Sequence, residues 1–336
     1  MSRLPEYPPR IALARTPTPF HCLARASDRW GHGKRLWIKR DDLTGSVLTG
    51  NKVRKLEFIA AHAINNGFRT LVTCGGLQSN HCRATALVAA QVGLGCHLVL
   101  RADDSDRRIT GNFLLDQIAG ATYEVLPAAG WGRALQSAYQ RLEQTYLDAA
   151  QPALMIPTGG SDSLGIWGYM VAAEELGRDI ATHDIDRAAV VVATGSAGTQ
   201  TGLTAGVAIA GLPLRVVGYA VCDDAQWFNT KVAEDWQAAR RRWPQLPAIN
   251  IEPVTQDHSA GPAYGIAPQE VYQLIVELAR LEGVVLDPVY TGKAFLGLLR
   301  DIREGYFEGV DDIIFIHTGG VFGLFAHEHS LLRAVS

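Results

Sequence analysis

The chain has 336 residues, of which 47% are hydrophobic and 19% are charged, and its formal net charge is −3. This length allows one or two domains, and the composition is typical of globular proteins. No dense basic stripe is present, which argues against nucleic acid as a partner. The nearest candidate, Arg240-Arg241-Arg242, is typical of a solvated helix face.

The cysteines and the amino terminus indicate where the protein works. The five cysteines form no CxxC pair and show no metal-ligand spacing, so we expect no metal site and a reducing compartment. The segment MSRLPEYPPR lacks the apolar centre of a secretory signal. No apolar run is long enough to cross a bilayer. These features predict a cytoplasmic protein without a membrane partner.

From residue 51 onward, short β-branched runs alternate with helical segments. Helical spacing over NKVRKLEFIAAHAINNG precedes the predicted strand TLVTCG, and SNHCRATALVAAQVGL then predicts a capped helix. HLVLRA and TYEVLP predict strands on either side of the helix TGNFLLDQIAG, and the amphipathic helix WGRALQSAYQRLEQTYLDAA follows. ALMIPTGG, AVVVATGS, LRVVGYAV and IIFIHTGG predict four further strands. Such alternation favours right-handed crossovers and mainly parallel sheets.

The number of strand–helix units exceeds what one sheet accommodates comfortably. We therefore predict an α/β fold of two open, twisted, mainly parallel sheets flanked by helices, with the active site in the interdomain cleft. The predicted large, cofactor-binding domain comprises residues 1–51 and 162–336, and the small, substrate-side domain comprises residues 52–161. A closed eight-fold barrel is the structural alternative. The irregular spacing and differing chemistry of the glycine turns argue against it.

A glycine- and hydroxyl-rich turn, TGSAGTQTG at 194–202, links the predicted strand AVVVA to a helix of small residues. Glycines let the backbone approach a ligand closely, and the free N–H groups of a helix start bind anions. Ser196 and Thr199 add hydroxyl donors. The turn is a candidate phosphate site, although it lacks both the P-loop lysine and the GxGxxG spacing of dinucleotide folds. A simple tight turn is the alternative.

A second segment, GNKVRKLE at 50–57, places three cations in the first turn of a helix, where the helix dipole disfavours them. A solvated basic face is the common explanation. The functional interpretation is that Lys52, Arg54 and Lys55 face an anionic ligand. One lysine would then have a lowered pKa, because neighbouring cations favour the neutral amine that an imine-forming lysine needs.

A third segment, CGGLQSNH at 74–81, also follows a strand and opens a helix. Its free N–H groups, together with Ser79, Asn80 and His81, suit a carboxylate. Ser79 and Asn80 could equally be plain helix caps, and a single histidine is more often structural than catalytic.

The order of the motifs identifies a family. GNKVRKLE, GGLQSNH, IPTGGSDSLG, ATGSAGTQTG, DPVYTGKA and FIHTGG occur in that order along the chain. The series resembles the tryptophan-synthase-β-like class of pyridoxal-phosphate enzymes, in the branch that contains D-cysteine desulfhydrase and aminocyclopropane-carboxylate deaminase. The resemblance extends from about Leu36 to Leu324.

The resemblance implies roles for individual residues. Lys52 would bind pyridoxal 5'-phosphate covalently and carry the Cα proton. The other implied catalytic residues are Ser79 and Tyr290. The implied cofactor-binding residues are Lys52, Lys55, Asn80, Gly195, Ser196, Ala197, Gly198, Thr199 and Thr318. The implied substrate-binding residues are Ser79, His81, Tyr264, Tyr290 and Thr291. Asn80 would bond the phenolic oxygen, His81 the substrate carboxylate, and Trp131 would form a wall unless it is a core residue.

Two positions separate the branches. Thr291 follows the tyrosine of DPVYTGKA, and Thr318 follows the histidine of FIHTGG, where the deaminase branch carries glutamate and leucine. A carboxylate at the pyridine nitrogen keeps it protonated and strengthens the electron sink that opens a cyclopropane ring. A threonine strengthens the electron sink less than a carboxylate does. A weaker sink is sufficient to expel a good β-leaving group. The desulfhydrase branch is therefore favoured over the deaminase.

Three departures from the family pattern occur at Thr49, Asp162 and the segment 257–260, which contains His258. We expect them near the substrate, where they would allow a different leaving group.

The leading expectation is a lyase that acts by β-elimination on a small sulfur amino acid such as D-cysteine, and that forms a homodimer. The alternatives within the cofactor class are an L-cysteate sulfo-lyase, a serine-type dehydratase and a deaminase. A non-enzymatic amino-acid-binding module would not need Lys52, and an oxidoreductase would need a dinucleotide motif that the sequence lacks.

Overall fold

The computed structural model describes residues 4–103 and 108–335. In this part of the chain the strands are β1 Phe20–Cys22, β2 Arg35–Lys39, β3 Thr70–Gly76, β4 Gly95–Arg101, β5 Thr122–Leu126, β6 Ala153–Met155, β7 Ala188–Thr194, β8 Leu214–Ala220, β9 Thr255–Gln256 and β10 Asp312–Ile316. The helices are α1 Ala24–Trp30, α2 Lys52–Asn65, α3 Asn80–Val92, α4 Gly111–Ile118, α5 Trp131–Asp148, α6 Trp167–Thr182, α7 Gly198–Ala210, α8 Ala225–Arg242, α9 Gln269–Glu282, α10 Thr291–Arg303 and α11 Glu328–Val335. Short 3-10 turns cover Asp41–Leu43, Thr158–Gly160 and Val321–His327.

The strands form two sheets. One has six strands in the order β1-β2-β10-β7-β8-β9, and the other has four in the order β5-β4-β3-β6. Every pairing is parallel except that of β1 with β2. The predicted fold class, two mainly parallel sheets flanked by helices, is confirmed.

Burial explains why the strands lack an alternating pattern. All seven residues of β7, AAVVVAT, and all five of β10, DIIFI, are buried. Parallel strands that are covered by helices on both faces are apolar along their whole length. The apolar side chains on the two faces of the six-stranded sheet therefore pack into two separate core clusters, one on each face.

Helix α2 connects the two sheets. Its residues Leu56, Phe58 and Ile59 are buried in one cluster with Trp167 and Met170 of α6. Because α6 also packs against the six-stranded sheet, α2 is held against both halves of the molecule. The packing of α2 against α6 therefore holds the first turn of α2, which carries Lys52, in place.

The loops that follow the parallel strands meet at one place. The segments after β3, β7 and β10 all contribute residues to one cavity, which is the expected location of a ligand in an open α/β sheet.

Candidate active site

A cavity of about 320 Å³ lies where these loops meet. Most of the predicted site residues line it, namely Lys52, Ser79, Asn80, His81, Gly195, Ser196, Ala197, Thr199, Tyr264, Tyr290 and Thr318. Lys55, Gly198 and Thr291 are outside the lining. The cavity also contains residues that the sequence did not single out, among them Asn51, Arg101, Thr158, Cys222 and Asp223. The predicted wall residue Trp131 lies in the lining as well.

Lys52 is the first residue of α2. Its Nζ donates to Asn51 Oδ1 at 3.0 Å and lies 5.9 Å from the centre of the Tyr290 ring. Burial, with a contribution from the Arg83 guanidinium, lowers the pKa of Lys52 to about 8, while Asp287 opposes the shift. A lysine with this pKa is partly neutral near physiological pH, as covalent capture of an aldehyde requires.

Arg54 does not face a ligand, contrary to the expectation from its sequence neighbours. Its guanidinium is buried and donates to Asp41 at 2.7 and 2.9 Å and to Glu175 at 3.0 Å. Burial alone would raise the pKa of Glu175, but Arg54 and Lys39 lower it to about 2. Arg54 therefore neutralises carboxylates of the protein itself. The cation that acts on Lys52 is Arg83, which the sequence analysis missed.

The start of α7 forms the end of the cavity that we predict to bind phosphate, which is called the anion-binding end below. Ala197, just before the helix, has a φ of 63°, and the Gly198 N–H next to it donates to Ser196 O at 2.8 Å, so the chain turns tightly into the helix. Glycine is needed here, because a Cβ on Gly198 would come within 2.8 Å of the Ser161 backbone, and a Cβ on Gly195 within 3.0 Å of the Tyr290 ring. The turn is thus a close-packed helix start of the kind that binds phosphate.

Lys55 supports this end from behind. Its buried Nζ donates to Ser161 Oγ at 3.0 Å and to Gly159 O at 3.1 Å. Ser161 Oγ lies 2.9 Å from Ser196 Oγ, which lines the cavity. Burial first, and then the charge of Lys52, lower the pKa of Lys55 well below its usual range. An anion bound beside Ser196 would favour the charged form of Lys55 and so offset this lowering of its pKa.

Asn51 joins the lysine to the anion-binding end. Its Oδ1 accepts from Lys52 Nζ, and its Nδ2 donates to Thr199 Oγ1 at 3.0 Å. The sequence signal for this role was the position of Asn51 directly before the lysine, which the motif analysis did not use.

Asn80 presents a donor to the cavity. Its Oδ1 accepts from Asn112 Nδ2 at 3.0 Å, and the same Asn112 amide donates to Gln78 O at 2.9 Å. The oxygen of Asn80 is thereby occupied, which leaves its NH2 group for a ligand. Asn112 lies 32 residues away in sequence, on α4, so no local pattern indicated it.

The position of Ser79 is consistent with both of the roles that its sequence context allowed. It caps α3, where its Oγ accepts from the Cys82 N–H at 3.2 Å, and it lines the cavity. Accepting that bond leaves the hydroxyl hydrogen free, so the cap remains a donor toward a ligand.

His81 is neutral in this setting. Burial, reinforced by Lys52 and Lys55, lowers its pKa well below its usual range. Thr73 Oγ1 donates to Ile156 O at 3.1 Å, so it accepts from His81 Nε2 at 2.8 Å. Nδ1 is then an acceptor, and among the described residues it has no partner. This tautomer suits a donor such as an ammonium group better than the carboxylate suggested by the resemblance.

Tyr264 and Tyr290 form a hydrogen-bonded pair on the cavity wall. Their hydroxyl oxygens are 2.6 Å apart, and their rings meet edge to face. Burial raises the pKa of Tyr264 to about 12 and that of Tyr290 well above its usual range. Both are therefore protonated donors at neutral pH.

The two branch-defining threonines differ in position. Thr318 lines the cavity. Thr291 is fully buried at the start of α10, where its hydroxyl donates to Asp287 Oδ1 at 2.7 Å. Asp287 also accepts from the backbone N–H groups at 289–291. Its carboxylate is therefore committed to the helix start.

The three departures do not lie where we expected them, because none is among the cavity-lining residues of the described chain. The Thr49 carbonyl accepts from Arg83 Nη2 at 2.6 Å. Asp162 caps a turn by accepting from the N–H groups of residues 164 and 165. His258 Nε2 lies 2.8 Å from Asp301 Oδ1. The different leaving group inferred from these positions loses that support.

Comparison with known proteins decides the family. Residues 11–319 match the family model described as pyridoxal-phosphate dependent enzyme. The chain belongs to this family. Over 94% of its length it is 36% identical to a bifunctional D-cysteine desulfhydrase/1-aminocyclopropane-1-carboxylate deaminase, mitochondrial, of Arabidopsis thaliana, and it covers 79% of that protein. It is 37% identical to a putative 1-aminocyclopropane-1-carboxylate deaminase of Thermotoga maritima, with 96% and 100% of the two chains covered.

Solved structures agree with the family assignment. The crystal structure of an ACC deaminase homologue superposes with a TM-score of 0.87 at 35% identity, over 97% of this chain and 96% of the other. An O-ureido-L-serine synthase superposes with a TM-score of 0.64 at 16% identity and so shares the fold. The resemblance inferred from the six motifs is confirmed, and the protein is an enzyme whose cofactor is pyridoxal phosphate.

The residues present fit this cofactor. The cavity has a lysine of lowered pKa for the aldehyde, a helix start for the phosphate and an amide N–H for the phenolic oxygen. Among the described residues, no cluster of three or more His, Cys, Asp or Glu side chains could hold a metal ion. No helix in the described ranges is long and apolar enough to span a membrane.

Proposed function

We propose that the protein is a carbon–sulfur lyase that catalyses β-elimination on a small sulfur-containing amino acid of the D-cysteine type. The products would be pyruvate, ammonia and sulfide. The observation that carries the proposal is the position of the Lys52 amine, with a pKa of about 8, between an anion-binding helix start and two protonated tyrosines. The name of the Arabidopsis relative supports the same activity.

The residues of the cavity would divide the work as follows. Lys52 holds the cofactor, which supplies an electron sink for the carbanion formed at Cα. The backbone from Gly195 to Thr199 cradles the phosphate, with Lys55 behind it. Asn80 donates to the phenolic oxygen. The start of α3, with Ser79, receives the substrate carboxylate.

The substrate amine would displace Lys52, and the neutral amine of Lys52 that is freed in this way would accept the Cα proton. The carbon–sulfur bond breaks, and its electron pair leaves with sulfur. Tyr290 stays protonated and is the donor to the departing group. The unsaturated amine that remains reacts with water to give pyruvate and ammonia.

Cyclopropane ring opening is not part of this proposal. Thr291 occupies the place of the deaminase glutamate, and its hydroxyl is bound to Asp287. The lining residue Thr318 occupies the place of the deaminase leucine, so neither position supplies a carboxylate. We therefore expect no oxobutanoate from 1-aminocyclopropane-1-carboxylate.

The test is a 2-oxo acid assay of the holoenzyme with D-cysteine, L-cysteine, L-cysteate, D-serine and 1-aminocyclopropane-1-carboxylate. Lys52→Ala should lose at least about 10³-fold in kcat, because it removes both the covalent link and the general base. It should also lose the absorbance band of the lysine-bound cofactor. Lys34→Ala, at a lysine whose Nζ bonds Val310 O outside the cavity, is the matched control. A yellow holoenzyme that is inert on all five substrates would refute the proposal.

We also propose the domain division 1–51 plus 162–336 and 52–161, a homodimer and a cytoplasmic location. The first is supported by sheet membership, since the four-stranded sheet uses only β3 to β6 and the six-stranded sheet uses none of them.

A further inference from the structure

A fully buried lysine lies next to the cavity without lining it. Lys293 is in the first turn of α10, three residues after Tyr290. Its Nζ donates to Val221 O at 3.0 Å and to Ala263 O at 2.9 Å. Tyr264 follows Ala263 directly, lines the cavity and bonds the Tyr290 hydroxyl. The start of α10 therefore holds one short segment at two neighbouring points.

We propose that Lys293 is a positioning residue of the active site, and that it acts by holding Tyr264 in place through the Ala263 carbonyl. The second bond of the lysine, to Val221 O, ties the same segment to the end of β8. The role rests on the proposed elimination, in which Tyr290, the partner of Tyr264, is the donor to the departing group.

The packing of the core does not account for a lysine at this position. Burial lowers the pKa of Lys293 to about 8. No carboxylate of residues 4–103 or 108–335 forms an ion pair with its amine, whereas the buried amine of Lys39 is paired with Glu175 and Asp179. An apolar side chain of similar length would fill the space without the cost of burying an unpaired charge. The two hydrogen bonds are therefore what distinguishes a lysine from an apolar residue here.

The segment 257–266, which carries Tyr264, has little buried surface to hold it. Of its ten residues, only Ser259 is buried. Near its start, His258 Nε2 lies 2.8 Å from Asp301 Oδ1 on α10. In a segment with so few buried contacts, individual hydrogen bonds decide where a side chain lies. The bond from the buried lysine to the residue before Tyr264 is thus a direct control on the tyrosine.

Loss of the amine should displace this segment rather than unfold it. Ala263 O also accepts from the Ile266 N–H at 3.2 Å, so the local turn keeps a hydrogen bond of its own. Lys293→Met fills the buried space with an unbranched apolar side chain. What the variant loses is the attachment of the turn to α10 and β8, and we expect the consequence at Tyr264.

The first experiment is a double-mutant cycle on the holoenzyme. It compares Lys293→Met, Tyr264→Ala and the double variant, using the amino acid that gives the most 2-oxo acid. Lys293→Met should lower kcat/KM by about tenfold in the otherwise unchanged chain, and by less than about twofold in Tyr264→Ala, because residues that act through one another are not additive. Equal losses in the two backgrounds would overturn the inference, since a general structural role does not depend on Tyr264.

Lys34→Met is the matched control. Lys34 also donates to a backbone carbonyl, that of Val310 at 2.8 Å, and it does not line the cavity. This variant should leave kcat/KM unchanged in both backgrounds. Lys293→Gln keeps a polar donor on a shorter side chain. It takes the place of Lys293→Met in the cycle if the methionine variant does not fold.

Hydrogen exchange separates this inference from the elimination itself, because it needs no turnover. In the holoenzyme, Lys293→Met should make the bonded amides of 257–266 exchange at least about tenfold faster, while those of β10 stay unchanged. If no substrate is consumed, this local change would still support the positioning role. Unchanged exchange in 257–266 would refute it. Faster exchange throughout the chain would also refute it, since the lysine would then stabilise the whole fold.

Discussion

The two ends of the cavity are built differently. At the start of α7, Lys55, Ser161 and Ser196 form a buried chain of hydrogen bonds in which each group has a protein partner. At the other end, Arg101 lies between two aromatic rings and has no polar partner among the described residues. The first end is preorganised for one constant ligand group. The second presents a cation held against aromatic rings, without a polar partner among the described residues.

Of the two ends, the preorganised end should show the larger effect. Lys55→Met removes the buried amino group that supports Ser161, and it should weaken pyridoxal-phosphate binding by about 10- to 100-fold. Hydrogen bonds to charged groups contribute about 1.5–3 kcal/mol, which corresponds to that range. Titration of the cofactor-free protein with pyridoxal phosphate, followed by absorbance, measures the change.

Lys34→Met provides the matched control, because it removes a lysine that bonds only a backbone carbonyl outside the cavity. The melting temperature of each variant distinguishes lost affinity from lost folding. Unchanged cofactor affinity in a folded Lys55→Met would show that the helix start alone holds the phosphate.

A smaller effect is expected at the substrate end. Tyr264→Phe removes the partner of the Tyr290 hydroxyl but keeps the ring against Arg101. A neutral hydrogen bond contributes about 0.5–1.5 kcal/mol, so kcat/KM should fall by up to about tenfold while cofactor affinity stays the same. Tyr123→Phe, at a tyrosine that is 45% exposed, is the control. If cofactor affinity fell as much as kcat/KM, the two ends would not be independent.

The two ends of the cavity also differ in how much of each could be predicted from the sequence. Strands that end in glycine turns predicted the fold and the phosphate end, because both depend on contiguous motifs. Arg54 was misinterpreted because one of its partners, Glu175, lies 121 residues away in sequence. Arg101 gave no signal, since in HLVLRA it is simply the residue at which a strand ends. Whether a charged side chain is paired depends on residues that are distant in the sequence. A single sequence does not show which residues these are.

Lys52 lies between the two ends of the cavity. The pH dependence of its protonation is the most sensitive test of how its surroundings affect it. Its pKa of about 8 means that the neutral amine predominates above that pH and falls about tenfold per unit below it. The rate at which cofactor-free protein captures pyridoxal phosphate should therefore rise with pH and level off above about 8. Stopped-flow absorbance measures this profile.

Arg83→Met should move the inflection to higher pH, because removing a nearby cation makes the ammonium form of Lys52 easier to hold. Arg69→Met, at an exposed arginine, should leave it in place. The variant also loses the bond from Arg83 to the Thr49 carbonyl, so its melting temperature must be recorded alongside. An unchanged inflection in a folded Arg83→Met would mean that burial alone lowers the pKa of Lys52. The reactivity of the lysine would then follow from its position on α2.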